Sequence, residues 1–283
     1  AGRLEDMALG IETLLTDDMQ LAEQGALELD RLNQERRGIE DEMRQQALND
    51  LRSLKMQGEE ELPFGICIFD QQWHQGVIGI LASRIKDLYH RPVIAFASAD
   101  DGWIKGSARS VPGVHIRDTL DRIAVKNPGL ISKFGGHAMA AGLTLLQQDF
   151  EIFSSAFDAE VRLHLEPDDI RGVIHSDGAI AADQMTLEIA ELLRDAGPWG
   201  QGFPEPVFDG RFKQISWRIV GTKHMKLVLA TETGEVLDAI AFNQGDNKPE
   251  NCEQDLYAAY RLEINEFRGN RNVQMIIEFM EWV

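Results

Sequence analysis

Residues 19 to 56 contain no proline, and Ala22, Ala26, Leu29, Leu32, Ile39, Met43, Ala47, Leu51 and Leu54 recur along them at roughly helical spacing. The spacing predicts one continuous helix. Asp17 or Asp18 is placed to cap its start, and Gly58 with Pro63 ends it. The remaining positions are densely charged. Two outcomes stay open, a face turned to water or a helix that connects two domains.

Downstream the periodicity changes. Phe64 falls at a short apolar run, GICIFD, after which WHQGVIGILASRIKDLYH returns to helical spacing and PVIAFAS is again strand-like. IKGSARS and AGLTLL read as further strands, with helices near Ile116 to Ala124 and from Phe150 to Leu163. This alternation predicts an α/β domain of roughly 100 residues. Residues 166 to 204 are acidic, carry the amphipathic stretch MTLEIAELLRDA and end in the loop GPWGQGFPEP, whose prolines and glycines mark a boundary. VFDGRF, ISWRIVG, MKLVLATE, VLDAIAFN, DLYAAYRLEINEF and NVQMIIEFMEW follow with only turn residues between them. Five or six strands without an intervening helix predict a small all-β barrel of about 80 residues.

A chain of 283 residues, 43% hydrophobic, can fill two or three such units. Its apolar runs, around Val77 to Ala82 and Ile276 to Met280, fall far short of the roughly 20 residues that span a bilayer. No membrane-spanning or secretory segment is expected. Cys67 and Cys252 are the only cysteines and lie far apart in the chain. That argues against a disulfide framework or a Cys-based zinc site and for a reducing cytoplasm. The chain opens AGRLEDM without an initiator Met, as expected of a piece of a longer protein.

The net charge of −19 opposes any unspecific hold on nucleic acid, which needs Lys and Arg against phosphates. The charge is uneven, however. Lys and Arg stand against Asp and Glu as 7 to 13 over residues 1–57, 9 to 10 over 58–150, 3 to 11 over 151–200 and 9 to 13 over 201–283. The nearly neutral segment contains the groups best suited to an anion. In KFGGHAMAAG, Gly135 and Gly136 can adopt backbone conformations closed to other residues and leave their amides uncovered. If Ala138 to Ala141 begin a helical turn, its amides and dipole add to the attraction for a phosphate, with His137 as a hydrogen-bond donor. The same spacing also suits a tight corner in which His137 is merely a satisfied group.

In KGSARS, an extended backbone puts Lys105, Ser107 and Arg109 on one face, with Ser110 adjoining. Such a face grips a phosphate backbone or is simply the polar side of an edge strand. His74, in DQQWHQG, sits where a strand hands over to a helix, as a cap or as a ligand contact. In the barrel, Lys223, His224 and Lys226 lie near Trp217, while Arg268 and Arg271 flank the turn RGNR. Cations beside aromatic rings suit single-stranded nucleic acid, although isolated aromatics such as Trp217, Phe242, Tyr260 and Phe267 more often serve a core. No HExxH, HxxEH, Asp-His-His or Walker-type pattern occurs. The adjacent acid pairs Asp17–Asp18, Asp100–Asp101 and Asp168–Asp169 point apart in extended chain, so no metal site is assigned here.

Taken in order, AGRLEDM, ELDRLNQERR, QWHQGVIGILASRI, KGSARS, KFGGHAMAAG, GPWGQGFPEPVFDG and INEFRGNRNVQ resemble the C-terminal portion of the RecJ family. These are single-stranded-DNA-specific 5′-to-3′ exonucleases of the DHH/DHHA1 phosphoesterase superfamily. The resemblance covers essentially the whole chain. It implies an α/β DHHA1-type domain plus an all-β OB-fold barrel, preceded by a long connecting helix. Residues 1–57 would be the end of the DHH domain and that helix, 58–165 the DHHA1 substrate-binding domain, 166–204 an acidic helical linker region, and 205–283 the OB fold. It implies phosphate contacts at Gly135, Gly136, His137, Ser107, Arg109 and Ser110, and places Arg3 near the catalytic side. The DHH motifs that hold the family's Mg²⁺ or Mn²⁺ are absent from this sequence, so their ligands would lie outside it and the chain alone would not hydrolyse DNA. Single-stranded DNA and single-stranded-DNA-binding protein are the implied partners. Two further functions stay open, a phosphoesterase for oligonucleotides or cyclic dinucleotides and a non-catalytic partner-docking module.

Overall fold

The computed structural model describes residues 2–56, 62–200, 202–221, 223–249, 254–267 and 269–283, except for the side chains of residues 52–56. They divide into two compact units, residues 1–172 and 173–283.

The first unit opens with a short helix that the sequence did not announce, α1 (Ala8–Leu15), followed by the long α2 (Met19–Met56). Asp18 caps α2, its Oδ1 accepting from the amides of Gln20 at 2.8 Å and Leu21 at 3.3 Å. Gly58, expected to end the helix, lies outside the described residues. Met43, Ala47 and Leu51 recur every fourth residue and are buried with Leu48 against Trp73, Val77, Ile78, Leu81 and Ile85. Trp73 Nε1 donates to Gln46 Oε1 at 2.8 Å, which fixes the second half of α2. Leu21 and Leu27, in its first half, are exposed.

There follow β1 (Ile66–Asp70), α3 (Ile78–Tyr89), β2 (Val93–Ser98), β3 (Trp103–Arg109), α4 (Ile116–Lys126), β4 (Lys133–Gly136), β5 (Ala140–Leu146) and α5 (Phe150–Val161). The strands form one sheet in the order β1-β2-β3-β5-β4, with β1 and β2 parallel and the other neighbours antiparallel. One face carries Ile94, Phe96, Ile104, Ala108, Leu143 and Leu145 into a core with Ile116 and Leu120 of α4 and Phe153 and Phe157 of α5. Each fully buried ring or aliphatic group there contributes about 1.5–3 kcal/mol.

The opposite face is covered over only part of its width. Ile66, Ile68, Val93, Ala95 and Ala97 of β1 and β2 pack under α3 and α2. On β3 and β5 the residues of that face, Lys105, Ser107, Arg109, Ala140, Gly142 and Thr144, are exposed or half-buried while their alternate neighbours are buried. An uncovered half-sheet therefore borders α3.

Glu160 on α5, 3% exposed, binds Arg122 Nε and Lys126 Nζ of α4, each at 2.6 Å. Burial alone would raise its pKa, but the hydrogen bonds from Lys126 and Arg122 hold it below the usual carboxylate value.

The second unit holds α6 (Leu187–Asp195) and the strands β6 (Phe208–Val220), β7 (His224–Ala230), β8 (Val236–Ala241), β9 (Asp255–Phe267) and β10 (Asn270–Trp282). They close into a barrel in the order β10-β8-β7-β6-β9, with only β10 and β8 parallel. VFDGRF and ISWRIVG are one strand, not two, because a register shift between Gln214 and Ser216 lets β6 bend without breaking. Alternate residues, among them Met225, Leu227, Leu229, Ala239, Tyr260 and Met275, fill the interior. The stretch expected as a linker, 166–204, is shared by the two units; Met185 joins the barrel core, and α6 packs on β9 and β10.

Candidate nucleic-acid interface

The Gly-Gly-His segment does not start a helix. Gly135 and Gly136 end β4, and Ala140 begins β5, so His137 to Met139 form the turn of a β-hairpin. The His137 amide is committed within the turn, donating to the Ala140 carbonyl at 2.8 Å. The turn's carbonyls are used too, Met139 C=O by the Ser110 amide and Ala138 C=O by the Ile116 amide. Gly136 is required by the backbone, with φ at +148° and no room for a Cβ beside the Ala140 carbonyl.

Strand register turns three sequence clusters into one surface. Arg109 pairs with Ala140, Ser107 with Gly142 and Lys105 with Thr144, while Gly135 pairs with Gly142 and Lys133 with Thr144. Directly opposed residues share a face. Three rows result, Arg109–Ala140–His137, Ser107–Gly142–Gly135 and Lys105–Thr144–Lys133, about 6.8 Å apart along the strands at 3.4 Å per residue. His137, Gly135, Gly142, Lys105 and Lys133 are exposed. A shallow trough of about 350 Å³ runs between Lys105 and Lys133, with Gly142 and Gly135 on its floor.

At the α3 side, Arg109 donates to the Ser107 hydroxyl at 3.2 Å and to the Ala108 carbonyl at 2.8 Å. Gly79 lets α3 approach, because a Cβ there would stand 2.9 Å from both the Arg109 guanidinium and the Ser107 Oγ. Arg3 donates to the Gly76 carbonyl at 3.2 Å. Burial, and then the nearby charge of Arg3, lower the pKa of Arg109. Two guanidinium groups that repel each other at the edge of a cleft are stabilised by an anion between them. His74 accepts the Gly76 amide on Nδ1 at 3.0 Å, leaving Nε2 to carry the proton of the neutral ring, and shapes the turn that leads into α3. Lys105 Nζ donates to Gln75 Oε1 at 3.1 Å, and Gln75 is itself tied to the Ser98 carbonyl at 2.7 Å.

Ser110 is brought near these groups but faces away. It is 2% exposed and its hydroxyl donates to the Val114 carbonyl at 2.7 Å, which holds the chain between β3 and α4. Lys133, Gln75, Gly142 and Thr144 were not singled out in the sequence. Lys133, Gly135 and His137 alternate at every second residue, so the signal for Lys133 was present once β4 is read as a strand.

The barrel groups differ. Trp217 packs partly against the barrel core. Lys226 is ion-paired with Asp238 at 3.0 Å, and Arg271 with Glu191 at 2.9 Å and Glu266 at 2.8 Å. The Lys223 carbonyl accepts from the Gly245 amide at 2.9 Å, and Arg268 lies outside the described residues. Tyr260 is buried, whereas Phe242 is 50% exposed and meets His224 edge-on at 5.2 Å. Arg218, exposed and opposite Lys226 across β6 and β7, was also overlooked. Among the described residues, no group of three or more His, Cys, Asp and Glu side chains could hold a metal ion, and no helix is long and apolar enough to cross a membrane.

Residues 62–163 match the DHHA1 domain model and residues 176–278 the RecJ OB domain model. The single-stranded-DNA-specific exonuclease RecJ of Dickeya dadantii is 49% identical over 282 residues, covering 99% of this chain and 49% of that protein. The protein of the same name from Escherichia coli is 49% identical over 98% of this chain and 48% of its own length. The crystal structure of Thermus thermophilus RecJ in complex with Mn²⁺ superimposes with a TM-score of 0.72 at 28% identity, covering 99% of this chain and 39% of that one. The chain belongs to the RecJ family.

It spans about half the length of the curated RecJ relatives. The uncovered half-sheet lies in the part that matches the DHHA1 model, and the barrel in the part that matches the RecJ OB model. A second Thermus thermophilus RecJ structure, in complex with Mg²⁺, also has a TM-score of 0.72.

Proposed function

We propose that this chain is the DNA-engaging, C-terminal part of a single-stranded-DNA-specific 5′-to-3′ exonuclease that works in DNA repair and recombination in the cytoplasm. The observation that carries this reading is the concentration of cations without carboxylate partners. In a chain of net charge −19, Arg3, Lys105, Arg109 and Lys133 border one half-sheet, and none is ion-paired with a carboxylate among the described residues. Arg109, Ser107 and Arg3 hold one phosphate of the strand, Arg109 through a charge-assisted bond. His137, exposed on the hairpin turn, donates to an oxygen of the same group. Gly135 lets the strand lie close to the backbone, and His74 and Ser110 position the neighbouring loops.

Hydrolysis needs Mg²⁺ or Mn²⁺ to activate water for attack on the phosphodiester, and the ligands for that ion belong to the remainder of the full-length protein. The role of this chain is to bind and orient. The barrel adds stacking at Phe242 and phosphate contacts at Arg218, with Lys223 and Arg268 as further candidates, whereas Lys226 and Arg271 are held by carboxylates. Single-stranded-DNA-binding protein is the proposed protein partner. An open trough, rather than an enclosed cavity, favours a strand over a small cyclic substrate.

Fluorescence-anisotropy titration of this chain against single-stranded and duplex oligonucleotides of several lengths tests the proposal. Salt-sensitive binding that prefers single strands and strengthens with length is expected. Equal affinity for duplex, or none at low salt, would overturn it. No turnover is expected from the chain with added Mn²⁺.

A further inference from the structure

The row Lys105–Thr144–Lys133 has no part in holding the phosphate that Arg109 takes, and it is better built for an anion than a solvated strand edge requires. Both lysines are exposed, stand on either side of the same trough and lack carboxylate partners among the described residues. Lys105 is held in place by Gln75. Between this row and Arg109 lie Gly142 and Gly135, and neither needs to be glycine for the fold. Neither has a positive φ. A Cβ on Gly135 would meet nothing within 4 Å, and one on Gly142 would come only to 3.9 Å from the Gly106 carbonyl. Glycine inside a strand costs stability, and where the structure leaves room for a side chain, a close approach of something else accounts for it.

We infer that Lys105, Thr144 and Lys133 form a second phosphate subsite, two nucleotides along from the Arg109 subsite, with the sugar-phosphate chain lying on the Gly142–Gly135 floor. The rows at Arg109 and Lys105 are four residues apart on β3, about 13–14 Å, and the intervening glycine row sits halfway. An extended single strand covers that span in two phosphate-to-phosphate steps, with the middle one of three successive phosphates passing over the glycine floor. The trough between the lysines is two strand spacings wide, roughly 9–10 Å, which admits one sugar-phosphate chain and not a duplex. This inference rests on the proposal that the half-sheet binds single-stranded DNA and assigns its register.

The test compares thymidine 5′-monophosphate, with one phosphate, the 5′-phosphorylated trithymidylate, with three, and a longer oligothymidylate, all titrated onto this chain by calorimetry or competition anisotropy. Lys133→Ala should leave the monophosphate unchanged, weaken the two longer ligands roughly 5- to 10-fold, and lower the salt slope of the longest by about 0.7, the value of one single-strand phosphate contact. Lys133→Arg should restore binding. Gly135→Ala, which the fold accommodates, should weaken the same two ligands. If Lys133→Ala and Gly135→Ala leave all three ligands unchanged while Arg109→Ala weakens them, the second subsite is wrong and the first stands. If Arg109→Ala is also silent, the half-sheet is not the binding surface and both fall.

Discussion

The half-sheet of the first unit and the part of the barrel around Lys226, Arg261 and Arg271 hold their cations in opposite ways. On the half-sheet, Arg3, Lys105, Arg109 and Lys133 bond to carbonyl, hydroxyl and amide oxygens or face solvent. On the barrel, Arg261 lies among Glu205, Glu263 and Glu278, Arg271 bridges Glu191 and Glu266, and Lys226 meets Asp238. A cation satisfied by carboxylates must give them up before it can take a phosphate, whereas one held by neutral groups exchanges little but water. In an acidic chain, the absence of a local counter-charge is therefore more informative than the presence of Lys or Arg.

The comparison is tested most strongly at Arg109. Arg109→Ala should weaken single-stranded DNA binding roughly 10- to 100-fold, the range for a lost charge-assisted hydrogen bond of about 1.5–3 kcal/mol, with little change in thermal unfolding. Anisotropy and a melting curve on the same sample read both. A variant that melts early and binds normally would make Arg109 a structural residue and erase the contrast.

A second effect belongs to paired charges inside the first unit. Glu160→Gln removes the buried carboxylate between Arg122 and Lys126 and should destabilise that unit by about 1–3 kcal/mol while leaving DNA affinity unaltered at temperatures where it is folded. The pH dependence has a definite sign. Because the folded pKa of Glu160 lies below its unfolded value, its contribution is fully present above the unfolded pKa of about 4.3 and is lost as pH falls through the lowered folded value. The wild-type advantage over Glu160→Gln, followed by hydrogen exchange of α4 and α5 across a urea series, should accordingly shrink on acidification below about pH 4. An advantage that grew in acid would contradict the assignment.

Much of this was legible in the sequence. The long helix, the α/β alternation and the barrel follow from periodicities of 3.6 and 2, because burial of one face imposes them. What periodicity could not deliver was the hairpin at His137. Two glycines followed by small residues suit a helix start and a strand turn alike, and pairing with β5 decides between them. Lys133 was lost with that choice, since only a strand puts it on the face of Gly135 and His137. Ser110 shows the complementary error. It is one residue past Arg109, so the same alternation turns it inward to Val114. Nor does the sequence reveal which cations are paired, because Glu205 and Glu191 reach Arg261 and Arg271 from far along the chain.

On the barrel, the paired cations should read out as stability. Arg261→Met leaves Glu205, Glu263 and Glu278 without their shared partner, and since these groups are partly exposed, about 1 kcal/mol is expected from the barrel unit, with unchanged DNA affinity. Hydrogen exchange along β9 and β10 measures the first and anisotropy the second. Weaker DNA binding without a loss of protection in β9 would place Arg261 on the DNA path instead.

The smallest expected effect is the sharpest test, because it concerns groups that the sequence alone proposed as DNA contacts. Lys226→Ala and Arg271→Ala should change single-stranded DNA affinity by less than about 2-fold and leave the salt slope unaltered, since each cation neutralises a neighbouring carboxylate rather than a phosphate. A drop of about 0.7 in the slope for either variant would mean that the cation leaves its carboxylate for the phosphate when DNA arrives. The energetic cost of that exchange is the liberated carboxylate, so the companion variants Asp238→Asn and Glu266→Gln would then tighten binding. If they do not, Lys226 and Arg271 serve the barrel, and the contrast between its paired cations and the unpaired ones of the half-sheet holds.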